Sequence, residues 1–266
     1  MKKKNAGSIA IMLLIMIYLL IPLVVSIIYS VFKKWTGILP EGFRLDNYIS
    51  LFSDQNFMAS VGRSIGWCVV PILLTIVIVL LALFVTTIYF PKLEKYVQII
   101  CMIPYTIQGV ILSVSILSLY VGTKSILSNR LVMLVGAYCV VILPYIYQGI
   151  RNGMRAVNMT TLIEAAEMLG ASKIYAFFRV VVPNILSAII VSSLLAVGII
   201  FGDYVLIRNL AGTSAPNMQI FLYQTMKSDS TKASAVFVII MFVTFVITVI
   251  VLFLKSREGK GRAQRK

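Results

Sequence analysis

Apolar residues run along this chain in long unbroken blocks. They do not alternate as in a half-buried strand, nor recur every third or fourth position as on a soluble amphipathic helix. A helix needs about 20 apolar residues to cross the hydrocarbon core of a bilayer. Six segments reach that length, at about 9–32, 64–90, 97–121, 131–150, 184–207 and 233–254. Five carry no charge, and the fifth in order carries one, Asp203. The pattern predicts an all-α integral membrane protein with six transmembrane helices, and residues 1–266 as a single transmembrane domain.

The first block follows MKKKNAGS, which resembles the start of a secretory signal. Its apolar stretch is longer than a signal's, and no Ala-x-Ala cleavage site follows, so it reads as a retained first span. Between spans, LDNYISLF (45–52) reads as a short surface helix. The patch IFLY (220–223) reads as an interfacial segment, where tyrosine is favoured.

Composition agrees with the block pattern. The chain is 60% hydrophobic and only 12% charged, outside the range of soluble domains. Its net charge of +15 does not form one basic face for nucleic acid. The basic residues punctuate the blocks instead. Placing both termini in the cytoplasm puts 15 of the 24 Lys and Arg inside: Lys2–Lys4, the 91–96 turn, the 151–183 loop and the tail after the sixth span. The positive-inside rule favours that orientation.

Several chemistries are excluded. There is no histidine, hence neither the commonest metal ligand nor the commonest general base. Cys68, Cys101 and Cys139 lie far apart inside apolar runs, with no metal or redox spacing. No nucleophile–base set supports an intramembrane enzyme. No G-x-x-x-x-G-K-[ST] phosphate loop occurs, and Gly122-Thr123-Lys124-Ser125 lacks its first glycine. The chain is read as a non-enzyme that binds no cofactor.

The loop between the fourth and fifth spans carries the most information. Thr161-Leu162-Ile163-Glu164 fits a capping box. Met159, Leu162, Ile163, Ala166 and Leu169 follow helical spacing on one face. Gly170 sits where a helix ends in a left-handed residue, and Ser172 can cap a second helix running through Phe177 and Phe178 towards Pro183. The loop encodes helix, glycine turn, helix. As an isolated segment it also reads as an amphipathic helix lying on lipid, although Glu164 and Glu167 disfavour an anionic leaflet.

Glu164-Ala165-Ala166, three residues, Gly170, nine residues, then Val180-Val181-Val182-Pro183 resembles the signature of the membrane subunits of binding-protein-dependent ABC importers. Valine replaces the family's Ile and Leu before the proline. The resemblance implies the type I importer fold, with a short cytoplasmic coupling helix between helices 4 and 5. It implies that Glu164, Ala165, Ala166, Gly170 and Pro183 form the ATPase-coupling element. It implies as partners two cytoplasmic ABC ATPase subunits that bind the ATP, a second permease subunit, identical or homologous, and an extracytoplasmic substrate-binding protein. The implied location is the bacterial cytoplasmic (inner) membrane. The run FGDYVLIRNLAG (201–212) is more similar to permeases of polyamines, phosphonates and related organic ions than to sugar permeases, which remain the alternative.

Candidate substrate-pathway residues come from two features. Asp203 is an ionisable group at a span end, a functional position by default, with pairing to Arg208 as the plainer reading. Pro104-Tyr105-Thr106-Ile107-Gln108-Gly109 and Pro144-Tyr145-Ile146-Tyr147-Gln148-Gly149 repeat one pattern in antiparallel spans. Tyr105, Gln108, Tyr145 and Gln148 are therefore candidates for a shared hinge or gate, against ordinary proline kinks with packing glutamines. An ion-coupled secondary carrier is the competing class. It has only Asp203 available for coupling and leaves the 164–183 loop unexplained.

Overall fold

The computed structural model describes residues 6–34, 41–43, 45–107, 109–212 and 215–263. Gln108 and Lys2–Lys4 lie outside the described residues. Helix dominates, as lipid demands: a backbone group left unpaired in hydrocarbon costs several kcal/mol, and a helix pairs its own.

The elements, in chain order, begin with α1 (Ala6–Val31), a two-stranded antiparallel ribbon β1 (Phe32–Lys34) and β2 (Glu41–Phe43), then α2 (Asp46–Ser53) and α3 (Gln55–Ile88). There follow α4 (Glu94–Met102), α5 (Gly109–Tyr120), α6 (Arg130–Ala156), α7 (Met159–Met168) and α8 (Lys173–Ala176). The chain ends with α9 (Val182–Asn184), α10 (Leu186–Phe201), α11 (Val205–Leu210), α12 (Met218–Ser228) and α13 (Ser230–Ala263). Among the described residues, four helices are long and apolar enough to span a membrane, or up to six if each of two bent pairs counts as one span.

The chain divides into two units, residues 1–60 with 220–243, and residues 61–219 with 244–266. In the first, the Tyr48 and Ser30 hydroxyls bond at 2.7 Å and tie α2 to the end of α1. Phe57 and Phe221 pack with ring centroids 5.5 Å apart. Asp54, before α3, bonds Lys232 of α13 at 3.1 Å, and that ammonium holds the Asp54 carboxyl below its ordinary range. Asp229 accepts from the amides of Lys232 and Thr231 at the start of α13, which likewise lowers its carboxyl.

In the second unit the core follows α6. Leu134, Ala137, Tyr138, Ile142, Ile146 and Ile150 are fully buried. They follow helical spacing, one stripe of a continuous helix. Its neighbour α10 comes close because small residues meet: Gly149 faces Ser192, and Gly153 faces Ala188. This is the small-xxx-small packing that lets membrane helices approach.

Three of the expected spans and one loop segment need correction. The segment 97–121 is not one helix. It is α4, a 3-10 turn over Ile103–Thr106, an extended Ile107 and then α5. Pro104 has no N–H for the ladder, and the chain leaves helical geometry three residues later. The fourth span runs on to Ala156, so the first six residues of the 151–183 loop are helix. The fifth ends at Phe201, and 205–210 forms the separate α11. The IFLY patch lies on α12 with Ile220 and Phe221 buried, so half of it is core. The β1–β2 ribbon escaped the sequence reading because three-residue strands show no alternation. The surface helix expected at LDNYISLF is α2.

Candidate functional site

The 157–183 loop is a helix, a glycine turn and a helix, built on the end of α6. Only Val157 and Asn158 separate α6 from α7, and Asn158 takes the left-handed conformation with φ 48°. Asparagine tolerates that region better than most residues. Helix α7 therefore starts at Met159. Thr161 lies inside it, so the expected capping box at 161–164 does not form.

Met159, Ile163 and Ala166 point inward, and Leu162 is half-buried. Leu169 departs from the expected apolar face: it is 90% exposed, beside Met168 at 89%. Glu164 and Ala165 are exposed on the same helix. The helix ends in a Schellman turn. The amide of Ala171 donates to the Ala166 carbonyl and that of Gly170 to Glu167, with Gly170 at φ 84°. Ser172 accepts from the Tyr175 amide and starts α8, and a 3.7 Å ion pair between Lys173 and Glu167 crosses the turn. The second arm continues as a π-helical turn over Phe177–Val181. There Phe177 is fully buried, its ring 4.8 Å from that of Phe84 on α3. Pro183 sits in the short α9, where the chain bends into α10. The result is a knob rooted in the core by Phe177 and carrying an exposed apolar tip.

Three of the four residues in the proline–tyrosine–glutamine repeat come together. The rings of Tyr105 and Tyr145 meet edge-to-face at 4.9 Å. Gln148 Nε2 donates to Met102 Sδ at 3.1 Å. Tyr105, Tyr145 and Gln148 line a cavity of about 280 Å³ with Asn152 and Ser192, walled by Gly149, Gly153, Ala188, Val191 and Leu195. Among the described residues, no charged side chain lines it. Asn152 and Ser192 were not singled out in the sequence. The signal available for this wall was the Gly149-x-x-x-Gly153 spacing.

Asp203 does not join that cavity. It lies beyond α10, and its carboxylate accepts from the Leu206 and Ile207 amides at 3.1 and 3.3 Å, capping α11. The Tyr138 hydroxyl of α6 donates to it at 3.1 Å. The pairing expected with Arg208 is absent: Arg208 makes no ion pair with it. Around it Asn217 donates to the Asp203 carbonyl and Gln219 to that of Phe201, while Asn209 bonds Ser113 of α5 at 2.8 Å. Asp203 is the hub that fixes the turn after α10.

Residues 79–257 match the model of the family described as binding-protein-dependent transport system inner membrane component. Among sequence relatives, the chain is 22% identical over 203 residues to a protein named as a 2-aminoethylphosphonate transport system permease, PhnV, of Salmonella typhi, covering 76% of each chain. It is 23% identical over 202 residues to its counterpart in Salmonella typhimurium. Its fold is similar to that of a chain in a bacterial ABC transporter importing alginate, with a TM-score of 0.64 at 17% identity, covering 97% of this chain and 96% of that one. A second structure of such a transporter, with its alginate-loaded periplasmic protein, matches with a TM-score of 0.62 at 18% identity. The family match covers well over half of the chain and includes the whole knob: this protein belongs to the binding-protein-dependent transport system inner membrane components, the membrane-spanning permease subunits of ABC transporters.

Proposed function

We propose that this chain is the permease subunit of an ATP-driven importer and forms half of its translocation pathway. It crosses the bacterial cytoplasmic membrane six times, each bent helix pair serving as one span, with both termini inside. ATP is bound and hydrolysed by two cytoplasmic ATPase subunits. A second permease, identical or homologous, completes the pathway, and an extracytoplasmic binding protein delivers the solute.

The observation that carries this reading is the knob. Glu164, Ala165 and the exposed Met168–Leu169 tip form a docking face on a short helix that Gly170 terminates and Phe177 anchors. Glu164 pairs with a basic residue of the ATPase, Ala165 and Ala166 permit close approach, and Pro183 fixes the bend back into the membrane. The cavity lined by Tyr105, Tyr145 and Gln148 belongs to the pathway, with Gln108 as a neighbour in sequence.

The solute is a small organic compound of the phosphonate or polyamine type, the reading supported by the relatives named as 2-aminoethylphosphonate permeases. A second reading, a sugar-type solute, is favoured by the uncharged tyrosine, amide and hydroxyl lining of the cavity. Purification of the tagged chain in mild detergent from its own membrane tests the assembly. Stoichiometric recovery of an ATPase and a second six-span chain is expected. A chain recovered alone, under conditions that keep known importers intact, favours a secondary carrier.

A further inference from the structure

Glu94 opens α4 and faces the last turns of α6. Its Oε1 takes Arg151 Nη2 at 2.8 Å, Arg151 Nε at 2.9 Å and Arg155 Nη2 at 3.2 Å. Arg151 and Arg155 are one helical turn apart and so share a face. Arg151 is only 15% exposed and Arg155 61%, so the Arg151 arm is the sheltered part of the clasp and the Arg155 arm is solvated. All of these contacts converge on one oxygen, and as charge-assisted bonds they are stronger than neutral ones.

The clasp sits at a mechanical junction. Arg155 is three residues before Asn158, and the Asn158 amide bonds the Arg155 carbonyl, so α7 is joined to the clasped turn by almost no slack. Further along, Met102 at the end of α4 meets Gln148 of α6, and Tyr105 in the 3-10 turn that follows packs on Tyr145 of α6. The three fastenings run antiparallel along α6 and end in the uncharged cavity. Next to the clasp lies an open space of about 410 Å³, lined also by Thr87, Asn158 and Thr160.

We propose that Glu94 is a positioning residue of energy coupling: its clasp on Arg151 and Arg155 makes α4, the end of α6 and α7 one body. A displacement of α7 then carries the Tyr105 wall of the cavity with it. This rests on the reading of α7 as the helix that docks the ATPase. No group of the substrate path is touched by the clasp itself.

The test uses the complex as it copurifies with the tagged chain. Spin labels at Tyr96→Cys on α4 and Thr161→Cys on α7 report the distance across the clasp, with and without ATP and vanadate. One narrow distribution common to both states is expected. Glu94→Arg should broaden it, or shift it by about 2 Å or more between states, the scale of helix shifts in switching proteins. Glu94→Arg with Arg151→Glu keeps one acid between two bases and should restore the narrow distribution, which a merely space-filling role would not predict. If the complex contains an ATPase and Glu94→Arg stays narrow in both states, or the double variant stays broad, the clasp is overturned and the docking reading stands. If no ATPase copurifies, the docking reading fails and the clasp's role falls with it.

Discussion

A Cβ added to Gly153 on α6 would stand 2.6 Å from the Cβ of Ala188 on α10, closer than real Cβ atoms approach. At Gly149 an added Cβ would collide with Ser192 in the same way. At these points the glycine backbone of α6 lies directly against small side chains of α10. Gly153→Leu should lower stability by at least the ~1–3 kcal/mol that overpacking costs in a filled core. Gly136→Leu on the same helix, where a Cβ meets open space, should cost less. Thermal unfolding in detergent, read by the monodisperse fraction, ranks the two. Equal stability of Gly153→Leu and the parent would mean the helices separate easily.

Gly170 poses the opposite case. It has φ 84°, yet a Cβ there meets open space. The obstacle to a side chain is backbone conformation, about 1–2 kcal/mol for an ordinary L residue in the left-handed region. Gly170→Val, with a β-branched residue ill suited to that region, should therefore reach the membrane at near-parental levels while uptake falls by at least about tenfold, a change of about 1.4 kcal/mol in rate terms. Whole-cell uptake normalised to membrane level separates the two effects. Parental uptake would remove the turn from the coupling mechanism.

Much of this was legible in the sequence, for identifiable reasons. Block length alone located the four long apolar helices at 11–31, 55–88, 130–156 and 230–254, because a bilayer imposes one thickness, while the other two blocks are bent helix pairs. Gly170 was legible because few residues adopt its conformation and the helix before it ends in step. The capping box failed because α6 runs six residues past the expected boundary, which brings the start of α7 forward to Met159. The break at Ile107 was missed since hydropathy is blind to backbone geometry. The Glu94–Arg151 contact joins residues 57 apart in sequence, and no local pattern announces it. Tyr105 and Tyr145 were singled out by repetition, but only the fold brings their rings together.

Asp203 and Tyr138 form another long-range pair, and a double-mutant cycle measures it. Asp203→Ala removes the cap of α11 and leaves the Tyr138 hydroxyl without its acceptor. Losing an N-cap costs about 0.5–2 kcal/mol, and a buried orphaned hydroxyl adds about 1–3 kcal/mol. Tyr138→Phe alone should cost less, and the two together less than their sum. Additive losses in thermal unfolding would show that the hydroxyl and carboxylate act independently. Asp203→Asn keeps an acceptor oxygen and should fall between. Selective loss of uptake of a cationic solute in that variant, at parental stability, would instead support a role for the charge in the pathway.

The Asp54–Lys232 bond makes a signed prediction about pH. The Lys232 ammonium holds the folded-state carboxyl of Asp54 below its ordinary range, so the carboxylate binds its proton less readily when folded. The resulting stability is fully present above the unfolded pKa of about 3.9 and is lost as pH falls through the lower folded value. Asp229 shifts in the same direction and adds to the same acid window. At pH 7 the Asp54→Asn variant should be less stable than the parent, by an amount modest for a pair roughly a quarter exposed on each side. The gap should close as both are acidified below about pH 4. Unfolding temperatures of the two proteins across that range decide it: a gap that widens on acidification would mean that Asp54 is held protonated, and the ion pair would not exist.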